Sequence, residues 1–186
     1  MKAISVVLFF MFSTSARASE FNPSLPAEKR CIISASERDI DFGVQSRGQL
    51  QESNGGRRLS PGKRNLMINV VCPFAQTMVI AIQGDRAANG NLRYGDRGDV
   101  ILRLLDVNLD GQHVQIVDTS AQGDAAATND MLLQPGQYVA ATRNGQRLTG
   151  KTFSARIEIE PMVPEGDARV TQPHTTQSQL SLELIE

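Results

Sequence analysis

Three stretches of this chain alternate apolar and polar residues with a period of two, and that pattern confines it to β structure. Asn65 to Cys72 reads N-L-M-I-N-V-V-C, with Leu66, Ile68, Val70 and Cys72 on one face. Thr152 to Glu160 reads T-F-S-A-R-I-E-I-E, with Phe153, Ala155, Ile157 and Ile159 opposed to Ser154, Arg156, Glu158 and Glu160. Ser178 to Glu186 reads S-Q-L-S-L-E-L-I-E, with Leu180, Leu182 and Leu184 on one side. Successive side chains of a strand point to opposite faces, so such a stretch meets a core on one face and water on the other.

Shorter apolar runs extend the pattern. Cys31 to Ser34, Asp39 to Val44, Met78 to Gln83, Val100 to Val107, His113 to Asp118 and Gln137 to Thr142 have strand length. Turn-forming sequences separate them: Asn54-Gly55-Gly56, Pro61-Gly62, Asn89-Gly90, Asp110-Gly111, Pro135-Gly136 and Asn144-Gly145. Many short strands between such turns predict an all-β sandwich. Only the window Ala121 to Leu133 has room for a helical turn, and the proline-bearing stretch Pro161 to Thr176 reads as a long surface connection.

The N-terminus has the form of an export signal. Lys2 precedes the apolar run Ile4 to Phe12, and Ala16-Arg17-Ala18 satisfies the A-x-A rule for signal peptidase. The run is shorter than the ~20 residues that span a bilayer. The expected division is a signal peptide over 1–18, an extension over 19–30 and one domain over 31–186. In an exported protein the two cysteines, Cys31 and Cys72, are expected to pair. A net charge of −1 gives no basis for nucleic-acid binding.

Sites for chemistry are sparse. The two histidines, His113 and His174, have no recognisable nucleophile motif near them, so no catalytic residues, metal ligands or cofactor are expected. Asp106-x-Asn108-x-Asp110-Gly111 opens like a calcium loop, yet the twelfth position is Val117, and a D-G hairpin is the expectation. Arg97-Gly98-Asp99 is a candidate ligand tripeptide in a polar loop. Trp is absent and aromatics make up 5%, which counts against an aromatic sugar-binding platform.

Taken in order, these features resemble the chaperone–usher pilins of Gram-negative bacteria. The resemblance is carried by the signal peptide, Cys31, Ile40-Asp41-Phe42-Gly43, and the alternating strand Asn65 to Cys72. It continues through Leu104-Leu105-Asp106-Val107-Asn108-Leu109-Asp110-Gly111-Gln112. The ending, Thr152-Phe153-Ser154 through Leu180-Ser181-Leu182-Glu183-Leu184, is similar to the β-fimbria major-subunit branch. The resemblance implies an immunoglobulin-like fold that lacks its last strand. It implies a periplasmic chaperone, an outer-membrane usher and neighbouring subunits as partners, and strand addition as the mode of binding. The chaperone-pairing strand would be Gln179 to Glu186, with Leu180, Leu182 and Leu184 beside the groove and Glu186 carrying the anchored carboxylate.

Two departures from the pilin pattern bear on function. The extension Ser19 to Arg30 offers Phe21 and Leu25 as donor-strand knobs, but Pro23 and Pro26 each remove a backbone donor. Ile185 stands where many pilins have a penultimate Tyr. A structural fibre subunit that accepts a strand better than it donates one is the expected function. A terminal subunit binding a host receptor, or an exported carbohydrate-binding sandwich, is the alternative.

Overall fold

The computed structural model describes residues 30–53, 57–120, 126–169 and 175–185. The signal peptide, Phe21, Leu25, Asn54-Gly55-Gly56, His174 and Glu186 lie outside the described residues, as does the first part of the Ala121–Leu133 window.

Strands dominate. They are β1 (Ile32–Ala35), β2 (Gln51–Ser53), β3 (Arg58–Ser60), β4 (Arg64–Thr77), β5 (Val79–Gly84), β6 (Leu92–Tyr94) and β7 (Gly98–Leu109). They continue as β8 (Gln112–His113), β9 (Gln115–Asp118), β10 (Met131–Leu133), β11 (Tyr138–Arg143), β12 (Gln146–Arg147), β13 (Thr149–Pro164) and β14 (Leu180–Ile185). Among the described residues they form two antiparallel sheets, of nine and five strands. The chain is a β-sandwich, as its alternation predicts.

In the larger sheet β13 is the spine, paired with β4 on one flank and β7 on the other, while β1 edges β4. The alternation read in the sequence is the alternation of burial. Leu66, Ile68, Val70 and Cys72 of β4 and Phe153, Ala155, Ile157 and Ile159 of β13 are all buried in one core. The smaller sheet runs β12-β11-β5-β14, with β9 on β11. Its Ile80, Ile82, Ile116 and Val139 close that core from the other side.

Local chemistry re-phases one strand. In β7 the buried residues Leu102 and Leu104 are followed by Val107 and Leu109, a shift of parity. The pairing with β13 slips between Ser154 and Arg156, and Asp106 there has φ +52°. An extra residue in one strand flips every later side chain to the other face. The Asp106 carboxylate accepts from Arg156 Nε at 2.7 Å, which fastens the bulge to the central strand. Asp110-Gly111 forms the expected hairpin turn, both residues with positive φ.

Asp110 also binds β13. Its Oδ1 accepts the backbone N–H groups of Thr152 at 2.8 Å and Lys151 at 2.9 Å. Those bonds, Thr152 first, hold its carboxyl below the usual carboxylate range. A depressed folded-state pKa contributes stability above the unfolded value, lost as pH falls through the folded one. Asp110→Asn should therefore lower the urea midpoint at pH 7, and the gap from the parent should close in acid. A gap independent of pH would refute the assignment.

Four expectations need correction. Asp39 to Val44 is not a strand: Asp41 Oδ1 accepts the Gly43 N–H at 2.7 Å, and Gly43 adopts φ +69°. This turn breaks the extended backbone while Ile40 and Phe42 still pack on the core. The described end of the Ala121–Leu133 window is strand, with Met131–Leu133 paired to Leu104–Leu102. Pro161 to Pro164 do not belong to a surface connection; they continue β13, and Met162 is fully buried. The ladder on the β4 flank ends at Ile159 and resumes with β3 at Val163, so it skips Pro161.

The fourth correction concerns Arg97-Gly98-Asp99, which is not a displayed loop. Gly98 and Asp99 open β7, and Asp99 is 3% exposed. A Cβ on Gly98 would lie 2.6 Å from the Tyr94 carbonyl oxygen and 2.7 Å from that of Met162, so close backbone approach explains the glycine. Asp99 forms an ion pair with Arg58 and accepts from the Asn91 and Asn89 amides at 2.6 and 2.9 Å. One buried carboxylate thus holds the β2–β3 hairpin and the 89–91 turn against β7. Asp99→Ala should cost about 2–3 kcal/mol, because three donors lose their acceptor and Arg58 stays partly buried. Urea unfolding measures this, and a change below about 0.5 kcal/mol, the scale of an ordinary surface substitution, would show the network to be idle.

Candidate functional site

The candidate site lies where the smaller sheet stops. β14 pairs with β5 over its whole length, Leu180 opposite Gly84 to Ile185 opposite Val79. No strand among the described residues pairs with its other edge.

The hydrogen-bond phase defines what that edge offers. Ile82 N–H donates to the Gln137 carbonyl at 2.9 Å and the Ile82 carbonyl accepts from Gly136 N–H at 2.7 Å, so Ile82 spends its backbone on the β11 side. Residues facing each other across an antiparallel pair alternate between bonded and non-bonded. Leu182, opposite Ile82, is therefore in a non-bonded pair, and Leu180 and Leu184 share its phase. The N–H and C=O groups of all three leucines point to the open edge. Their side chains are half-buried and pack on the core, while Ser181, Glu183 and Ile185 are exposed.

Beside this edge lies a cleft of about 1880 Å³. One wall is Leu180–Leu182 of β14 and the segment 175–178 before it; the other is the end of β1 and the segment 37–45, including Ile40 and Phe42. Its floor is core: Leu66, Leu92, Val100, Leu102 and Ile159 all line it. The cleft separates the free edge of β14 from the end of β1 and the 37–45 segment, with buried core residues at its base.

The walls are held independently of each other. Ser178 Oγ donates to the Arg93 carbonyl, and Gly95 N–H donates to the Gln177 carbonyl at 3.1 Å, fixing the approach to β14 on β6. At the end of β1 away from the cleft, a disulfide joins Cys31 to Cys72, beside the pairing of Ile32 with Val71. Tyr94 lines the cleft; burial lifts its phenol above the ordinary value, and the Asp41 charge adds to this. The hydroxyl is uncharged at neutral pH.

The structure thus sets Leu180, Leu182 and Leu184 in one row on β14, of which Leu180 and Leu182 line the cleft, and places the Cys31–Cys72 bond at the end of β1 away from it. Arg97 and Gly98 also line the cleft, although Asp99 turns away into its buried network. Sequence reasoning missed the floor. Ile159 reads as an ordinary core residue and Leu92 falls in none of the expected strands, and no local signal marks a core position that lies at the base of a cleft.

Fold and site together define a class: an all-β sandwich whose second sheet, among the described residues, ends on an unpartnered strand edge beside a cleft based on buried core residues. No described protein family matches the sequence. The uncharacterized protein YhcE of Escherichia coli (strain K12) is similar, 20% identical over 146 residues that cover 75% of this chain and 80% of that protein.

Proposed function

We propose that the chain is a fibre subunit of the chaperone–usher type, with an immunoglobulin-like fold completed by a strand from another molecule. In this reading residues 1–18 direct export, a periplasmic chaperone first fills the cleft, an outer-membrane usher receives the complex, and a neighbouring subunit's extension replaces the chaperone strand. The subunit reaches the cell surface as part of a fibre. It works by strand exchange, without catalysis or a cofactor.

The observation that carries the reading is the phase of β14. Its three leucines turn their side chains toward the core and their backbone groups toward the open edge. An added strand would gain a hydrogen-bonded ladder and an apolar seat at once, which is the physical basis of β-strand addition. Left bare, such an edge invites non-specific pairing. The alternative of a terminal subunit binding a receptor through Arg97-Gly98-Asp99 is weakened, since Asp99 is buried and already paired.

Co-expression with a pilus chaperone in the periplasm tests the proposal. A soluble one-to-one complex is expected, and Leu182→Glu, which sets a charge at the centre of the edge, should reduce its yield at least about tenfold. A chain that stays soluble alone and ignores the chaperone would overturn the reading.

A further inference from the structure

A second exposed apolar surface lies at the opposite end of β1 from its cleft-lining residues. Ile32 and Val71 are direct cross-strand partners, and they are 55% and 54% exposed. Three residues on, Phe74 is 70% exposed. Its position is built by a large bulge. Val71 pairs with Thr152 and Gln76 with Gly150, so residues 72–75 of β4 stand opposite Lys151 alone. The bulge is tied down at both ends: Cys72 is bonded to Cys31, and Gln76 Nε2 donates to Cys31 Sγ at 2.7 Å. A single exposed apolar residue needs no explanation, but Pro73-Phe74-Ala75 held out on a braced bulge next to an apolar pair does.

We infer that Ile32, Val71 and Phe74 form a docking surface for a second copy of this chain, the copy whose cleft receives the segment preceding Arg30. The inference rests on the fibre-subunit reading and on cleavage after Ala18. The reach of that segment decides the occupant. Ser19 to Lys29 is eleven residues. Fully extended, such a segment spans at most about 40 Å. A ladder of about six residues uses roughly 20 Å of it. About five residues remain, so the acceptor's cleft lies within roughly 17 Å of Arg30. Two sandwiches joined that closely touch, and the surface around Arg30 is where they meet. Ile32 is two residues from Arg30, and the bulge carrying Phe74 is bonded to Cys31 itself. The contact also answers the weakness of the donor segment. Pro23 and Pro26 are of opposite parity, so at least one N–H is missing from its ladder, and an apolar face beside the tether supplies affinity that the ladder lacks.

The test uses the full chain purified as its chaperone complex, mixed so that copies exchange strands. Phe74→Ser and Val71→Ser should each leave the chaperone complex intact, because neither residue lines the cleft. Each should slow or weaken copy–copy association about ten- to a hundredfold. A photo-crosslinking benzoylphenylalanine at position 74 should link to a second copy, at residues flanking its cleft. Copy–copy association at the parent rate in both variants, or cross-linking to the chaperone alone, would overturn the docking surface and leave the cleft reading standing. So would a parent chain that binds chaperone normally but never pairs with itself. Failure to form any chaperone complex would remove the fibre-subunit reading, and this surface with it.

Discussion

Supplying a strand to the purified domain should raise its unfolding temperature by about 10–30 °C. An incoming strand that seats three apolar side chains on the cleft floor gains roughly 5–9 kcal/mol, at about 1.5–3 kcal/mol for each. For a chain of this length each kcal/mol moves the midpoint by about 2–4 °C. The ladder along Leu180, Leu182 and Leu184 adds direction rather than much net energy, since those groups are hydrated beforehand. Thermal unfolding with and without a synthetic alternating peptide measures the gain. Leu182→Glu should abolish most of it, because the peptide would then cover a carboxylate without a partner. A domain that unfolds cooperatively alone, with a midpoint unmoved by any peptide, would mean that the cleft is an ordinary surface groove.

Loss of the disulfide should have the second-largest effect. Cys31 and Cys72 are 41 residues apart in sequence, a loop whose closure restricts the unfolded chain by about 4 kcal/mol. The structural consequence exceeds simple loop closure. β1 pairs through only four residues, Ile32 to Ala35, along one flank of β4, and its Ile33 lines the cleft. Without the bond that short edge strand is free to fray, and one wall of the cleft goes with it. The double variant Cys31→Ser/Cys72→Ser should therefore lose about 2–5 kcal/mol and bind an added strand more weakly. Denaturant unfolding of the strand-bound protein gives the first number, and peptide titration gives the second. A loss under about 1 kcal/mol with unchanged peptide affinity would show that β1 holds its place without the bond.

Elements that face one core on one side were legible in the sequence. The β4 and β13 alternation translates residue by residue into burial, because period-two patterning is a property of one strand against one apolar layer. The turns at Asp110-Gly111, Pro135-Gly136 and Asn144-Gly145 were legible for a similar reason, since a positive φ at Asp110, Gly111, Gly136, Asn144 and Gly145 is met by residues that tolerate it. Where two local signals competed, pattern alone misled. Asp39 to Val44 alternates like a strand, but the Asp41 side chain captures the Gly43 N–H and breaks it. Pro161 to Pro164 reads as a connection, yet the uninterrupted pairing of Pro161 with Val100 and Met162 with Asp99 carries β13 through it.

The Arg97-Gly98-Asp99 tripeptide shows the same limit at a candidate site. Its composition suits an exposed turn, but Gly98 is set by the carbonyls of Tyr94 and Met162, and Asp99 by Arg58, 41 positions earlier in the chain. None of those partners can be inferred from neighbouring sequence. By itself the sequence determined the β class, the inward residues of β4 and β13, the cysteine pair and the leucine row of β14. Only the tertiary structure decided that Leu180 and Leu182 of this row border a cleft. Alternation reports which side chains a strand buries, and it is written within that strand. An unpaired edge is defined by a strand that is absent beside it, and that depends on how distant segments are arranged in space.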